Sequence, residues 1–137
     1  MIVADTGAII ALLDRKERHH RPLRKLFEEA PQRWILPWAI LPEVDYLAST
    51  QLGPSVEQAF LGDIAEGRFL VEWGIPSDLG RAQEIATRYK SLHLGLTDAV
   101  VVSIAERLGA SAIATLDLRH FGAIAIRGNP KLLPRDL

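Results

Sequence analysis

The chain has 137 residues, 48% of them hydrophobic and 24% charged, with a formal net charge of −1. That composition is globular and long enough for a real core, and it excludes a disordered chain and a simple polycation. The absence of cysteine excludes a disulfide framework, a thiolate nucleophile and a thiolate zinc site.

MIVAD (1–5) is a short apolar run ending in an acid and predicts a buried strand. TGAIIALLD (6–14) predicts a helix. ERHHRPLRKLFEEA (17–30) predicts another, with Leu23, Leu26, Phe27 and Ala30 at helical spacing and charges between them. RWILP (33–37) reads as a second strand. WAILPEVDYLAST (38–50) suits a helix if Pro42 falls in its first turn, where the missing N–H is no loss. GPSVEQAFLGDIAEG (53–67) predicts a short helix and RFLVEW (68–73) a strand. SDLGRAQEIATRYKSL (77–92) opens on a Ser77–Asp78 cap signal and continues as an amphipathic helix. In HLGLTDAVVVSIAERLG (93–109), Thr97 or Asp98 is placed to start a helix and Gly109 to stop it. SAIATLD (111–117) predicts a strand ending in an acid, and GAIAI (122–126) a last strand. No apolar run approaches the roughly 18 residues of a membrane span. The start, MIVADTG, has no basic region or signal-like cleavage site. One domain over residues 1–137, cytoplasmic and with no membrane partner, is the expectation.

Strands alternating with helices predict an α/β fold: a central, mainly parallel sheet flanked by helices. The strands are continuous apolar runs, as burial on both faces requires. Ligands of such sheets sit beyond the carboxyl ends of the strands, where Asp5 and Asp117 fall. Asp98 poses a sharper problem. It serves as a cap or as a favourable charge near a helix N-terminus, yet Ala99, Val100, Val101, Val102, Ile104 and Ala105 leave the helix behind it almost no polar face. Such a helix is buried, and a buried lone carboxylate is costly unless paired, protonated or bound to a cation. Glu43 lies near the start of another helix. Each acid has a local explanation: Asp5 as a cap, Asp117 capping a turn through LRHFG, Glu43 as an exposed helical acid. Four acids at one edge of a sheet point instead to a hard divalent cation, which removes their mutual repulsion. Mg²⁺ or Mn²⁺ is favoured over zinc, and such centres suit phosphoryl chemistry.

MIVADTGAIIALLD, LPEVDYLAS, HLGLTDAVVVSIAERLG and IATLDLRHFG together resemble the acidic motifs of PIN-domain nucleases, most of all the VapC toxins of bacterial toxin–antitoxin modules. The resemblance covers nearly the whole chain, in order and in register. It implies a PIN-like α/β sandwich and a Mg²⁺- or Mn²⁺-dependent endoribonuclease leaving 5′-phosphate and 3′-hydroxyl ends. It also implies a homodimer and a cognate VapB-like antitoxin over the active face. Residue by residue, Asp5 and Asp98 match the family's central metal-binding acids, Glu43 the acid on the third helix and Asp117 the fourth acid. Thr6 and Thr115 match hydroxyl positions that orient the acids or a water; a local backbone hydrogen bond explains either equally well. Asp45, two residues from Glu43, should face elsewhere and is expected to be solvated or paired away from the site.

Between Arg15 and Lys25 stand six Lys or Arg residues with His19 and His20. A solvated helix face explains such a run; a phosphate-tracking rim, with Arg21 and Arg24 as RNA contacts, is the alternative. His19 and His20 are adjacent and point to different faces, which argues against an acid–base pair. Arg119 and His120, just after Asp117, are further candidates for contact with RNA. Trp34, Trp38 and Trp73 are expected in the core or at partner contacts. Other readings are a housekeeping PIN nuclease, an aspartate-nucleophile phosphatase and a non-catalytic acidic module that binds a partner. The phosphatase usually needs a second acid two residues after Asp5, where Gly7 stands.

Overall fold

The computed structural model describes residues 1–137. Five short strands form one all-parallel sheet: β1 (Ile2–Ala4), β2 (Trp34–Pro37), β3 (Leu70–Glu72), β4 (Ala112–Ala114) and β5 (Lys131–Leu133), in the order β3-β2-β1-β4-β5. Seven helices flank it: α1 (Thr6–Leu13), α2 (His20–Glu29), α3 (Leu41–Leu47), α4 (Pro54–Ala65), α5 (Pro76–Arg88), α6 (Leu96–Leu108) and the single turn α7 (Leu118–Phe121). The expected α/β architecture is present. No helix is long and apolar enough to cross a membrane.

β1 is the central strand and pairs with β4 in register at Ile2–Ala112, Val3–Ile113 and Ala4–Ala114. All six of these residues are buried, which is why both runs read as uninterrupted apolar sequence. α6 is buried along almost its whole length. Val101, Val102 and Ala105 join the main core, while Ala99, Val100 and Ile104 form a second cluster with Ala39 and with Ala82 of α5. The buried Ser103 hydroxyl donates to the Ala99 carbonyl at 2.7 Å, so the one polar side chain of this stretch is satisfied within the helix. Full burial of a residue such as Ile104 contributes roughly 1.5–3 kcal/mol, and α6 is thereby fixed with its first turn at one end of the sheet.

Pro42 lies in the first turn of α3, as its place in the sequence requires. Gly109 ends α6 at φ +61°, a conformation that favours glycine. One predicted element is wrong. GAIAI (122–126) is not a strand; it runs as a turn and irregular chain, and the fifth strand is Lys131–Leu133. Ile124 is buried from that loop, so the apolar signal was real but belonged to loop packing.

Candidate active site

The sheet order turns back at β1: β2 and β3 lie to one side of it, β4 and β5 to the other. In an open parallel sheet, the crevice beyond the carboxyl ends at such a reversal is where ligands fit. Asp5 immediately follows β1, and Asp117 stands three residues beyond the end of β4. A cleft of about 500 Å³ opens there, lined by Asp5, Thr6, Glu43, Asp98, Asp117 and His120 together with Gly7, Leu47, Gly95, Thr97 and Leu116. The four acids read from the sequence therefore share one cleft, at different depths.

Asp5 lies deepest, 6% exposed. It is the residue before α1 but makes no side-chain cap bond; its Oδ2 instead accepts from Thr115 Oγ1 at 3.0 Å. Burial, and then the charge of Asp98, push its carboxyl up to about 7 against the pull of that hydroxyl. Asp98 is not the cap of α6 either. Gly95 holds that position, and Asp98 Oδ2 lies 2.9 Å from His120 Nδ1. Its carboxyl is raised by burial, partly offset by His120, with Asp117 and Glu43 adding repulsion. Asp117 has two tasks: Oδ1 accepts from the His120 backbone N–H at 3.1 Å and caps α7, while Oδ2 lies 3.0 Å from His120 Nδ1. Glu43 is exposed in the first turn of α3 and forms an outer wall.

The two threonines differ. Thr115 is buried and fully engaged, donating to Asp5 and accepting from the Asp117 N–H at 3.0 Å. Thr6, 3% exposed, has a buried hydroxyl with no protein partner, on the cleft wall. An unmet buried hydroxyl is unfavourable by itself. Beside raised, mutually repelling carboxylates it is a further unmet polar group on the cleft wall. One oxygen each from Asp98 and Asp117 and one nitrogen of His120 lie within 4.8 Å of one another. The donor set therefore fits a divalent metal ion.

His120 is the member that sequence reasoning placed elsewhere, beside Arg119 as a contact for RNA. The usable signal was its position three residues after Asp117, which in a helical turn brings the two side chains together. Arg119 is exposed on α7 and does not line the cleft; nor do Arg21 and Arg24. Those two line a separate basic concavity with Arg15, His20, Lys25 and Glu28, beyond the far end of α1. Arg24 is paired with Glu28 at 2.6 Å. His20 Nδ1 contacts the Ala11 carbonyl at 2.7 Å and is not paired with His19. Asp45 does not line the cleft; its proximity holds the carboxyl of Glu57 on α4 above the ordinary value. Trp34 is wholly buried, whereas Trp73 is 72% exposed.

Comparison with known proteins agrees with this fold. The family model described as PIN domain matches residues 2–126. The chain is 29% identical over 123 residues to Ribonuclease VapC26 of Mycobacterium tuberculosis, covering 90% of this chain and 91% of that protein. Among solved structures, the Mycobacterium tuberculosis toxin VapC20, described as cleaving the Sarcin-Ricin loop, superposes with a TM-score of 0.73 at 18% identity, over 82% of this chain and 87% of its own. DNA-bound VapBC from Salmonella typhimurium gives 0.72 at 21% identity, over 96% and 95%.

Proposed function

Because the chain belongs to the PIN-domain family, we propose that it is a divalent-metal-dependent endoribonuclease, the toxin of a VapBC-type pair. One observation carries the reading: acids from the ends of β1 and β4 and from the first turns of α3 and α6 share one cleft with an unpartnered buried hydroxyl, Thr6. Relatedness to a protein named as a VapC ribonuclease supports the substrate class.

Asp5, Glu43, Asp98 and Asp117 would hold the ion, Mg²⁺ or Mn²⁺, since oxygen donors dominate and no thiolate exists to favour zinc. When bound, such an ion would supply Lewis acidity for activating water and for offsetting phosphate charge. The protein does the positioning. Thr115 aims Asp5 and fixes the turn that carries Asp117. The Thr6 hydroxyl offers a hydrogen bond to a water or phosphate oxygen, and the exposed Glu43 side leaves the cleft open to an RNA backbone. Arg21, Arg24 and Arg119 stand outside the reacting centre, where they steer and hold phosphates.

The partners in this reading are an RNA substrate, a second copy of the chain and a VapB-like antitoxin; the VapBC complex among the structural relatives supports the last. Exposed Tyr46 and Trp73 offer apolar contact area to protein partners. The test is purified protein with structured RNAs in Mg²⁺, Mn²⁺ or chelator, beside Asp98→Asn. Cleavage that needs the cation and is lost in Asp98→Asn is expected. Metal-independent cleavage, or full activity of Asp98→Asn, overturns the assignment.

A further inference from the structure

The cleft is not an all-oxygen site. His120 Nδ1 lies 2.9 Å from Asp98 Oδ2 and 3.0 Å from Asp117 Oδ2, the closest group of potential ligand atoms in the cleft. Two ligands at right angles on an ion with bonds of 2.0–2.1 Å are about 3.0 Å apart. Both spacings match that edge, so Nδ1 stands at the distance of a neighbouring ligand from each carboxylate oxygen. A hydrogen bond has the same length, and the arrangement serves both states: imidazole against carboxylates without the ion, and three ligands around it.

The ring is held in place. Asp117 Oδ1 takes the His120 N–H and caps α7, and the next residue, Phe121, is 1% exposed and anchors the turn in the core. A Cβ at Gly122 would collide with the Leu118 carbonyl oxygen, so glycine lets this single turn close. These contacts present Nδ1 to the acids, and the unpartnered buried hydroxyl of Thr6, which lines the same cleft, is an independent sign of a polar ligand there.

We infer that His120 is a nitrogen ligand of the catalytic cation, and that it makes this site select Mn²⁺ over Mg²⁺. Mg²⁺ is hard and takes oxygen, whereas imidazole nitrogen suits transition-metal ions, among which Mn²⁺ also accepts a carboxylate-rich shell. Ligation through Nδ1 leaves the ring proton on Nε2. The inference deepens the proposed function, since it rests on that reading's metal centre and names the ion the centre prefers.

The experiment needs no RNA. Wild type, His120→Asp and His120→Asn are titrated with Mn²⁺ and with Mg²⁺, and the ratio of the two affinities is compared. His120→Asp adds charge that strengthens binding of both ions, but the ratio cancels that effect; a second variant guards against one that folds poorly. Loss of a ligand or its support shifts metal affinity by roughly 10–100-fold, so the Mn²⁺ preference should fall by about tenfold or more in both variants. In parallel, pulsed electron paramagnetic resonance of the Mn²⁺-loaded wild type should show nitrogen coupling that changes with ¹⁵N-histidine labelling and vanishes in His120→Asp. An unchanged ratio, or the absence of nitrogen coupling, overturns the inference and leaves His120 as a hydrogen-bond partner of the acids only. An RNA assay separates this from the broader reading. Cation-dependent cleavage with an unchanged ratio sinks only the role of His120; nitrogen coupling with no cleavage of any RNA sinks only the nuclease.

Discussion

Thr115 Oγ1 donates to Asp5 Oδ2 at 3.0 Å and accepts the Asp117 N–H at 3.0 Å. One buried hydroxyl thus ties together the acids that follow two adjacent strands, although Thr115 and Asp5 are 110 residues apart. Thr115→Val should keep the fold, since the side chain is nearly isosteric, but release Asp5 and leave the Asp117 N–H without its acceptor. Affinity for the cation is expected to fall by roughly 10–100-fold, with Thr115→Ser near wild type. Calorimetric titration of Mn²⁺ checks this. Equal affinities in wild type and Thr115→Val would make the hydroxyl a local backbone partner only.

Asp5 also sets a pH dependence of the metal-free protein. Its carboxyl titrates near 7 in the fold, against an ordinary value of 3.8. Between those values the folded chain keeps a proton that the unfolded chain has lost, so this group's contribution lowers stability as pH rises through the window and levels off above it. Melting temperature in chelator should therefore decline from pH 5 to pH 8, and Asp5→Asn should flatten the decline and melt higher than wild type at pH 8. Parallel curves for the two proteins would show that Asp5 ionises in the fold as easily as in water.

The placement of α6 has its own determinant. Arg107 grips the buried carboxylate of Asp78 through two bonds, at 2.7 and 3.1 Å, and reaches Glu72 at 2.8 Å, joining α6 to α5 and β3. Asp78 also accepts the Ile75 N–H at the start of α5. Burial raises the Asp78 carboxyl, but Arg107 and Ile75 outweigh it and the net position is below the ordinary range. Arg107→Ala strands a buried charge and should cost roughly 2–4 kcal/mol near pH 7, taken below the fully buried case because Arg107 is 26% exposed. The lowered carboxyl contributes stability above its unfolded value, lost as pH falls through the folded one, so wild type and variant should converge in acid. Urea melts at pH 7 and pH 3 provide the comparison.

The sheet and the acids at its carboxyl edge were legible because each signal is local. MIVAD and SAIATLD announce buried strands by continuous apolar runs, and the acid that ends each run follows from chain order. What failed was non-local. An apolar run does not distinguish a strand from a packed loop, so GAIAI passed for a strand. The true β5, Lys131–Leu133, is a three-residue edge strand between Pro130 and Pro134 and looks like loop sequence. His120 was read with its exposed neighbour Arg119 because LRHF is too short for helical periodicity to show. Its bond to Asp98 crosses 22 residues, and only the packing of α6 on β1, the neighbour of β4, brings the two together.

The basic segment lies within reach of the cleft. Arg21 and Arg24 line a concavity of about 410 Å³ with Arg15, His20 and Lys25, and the single acid there, Glu28, already engages Arg24. α1 separates this region from the acids, with Thr6 and Gly7 at one end and Leu13 at the other; its eight residues span about 12 Å. An RNA backbone passing through the cleft can therefore reach the basic concavity. Each phosphate contact on a single strand adds about 0.7 to the slope of log affinity against log salt. Arg21→Ala with Arg24→Ala should weaken RNA binding and reduce that slope by about 1.4 if both arginines bind phosphate. A reduction of half that size would mean that Glu28 retains Arg24. Binding measured by fluorescence anisotropy between low and moderate salt, in Asp98→Asn so that the RNA stays intact, gives the slope. If the double variant keeps the wild-type slope, the segment is a solvated helix face and RNA enters the cleft from another side.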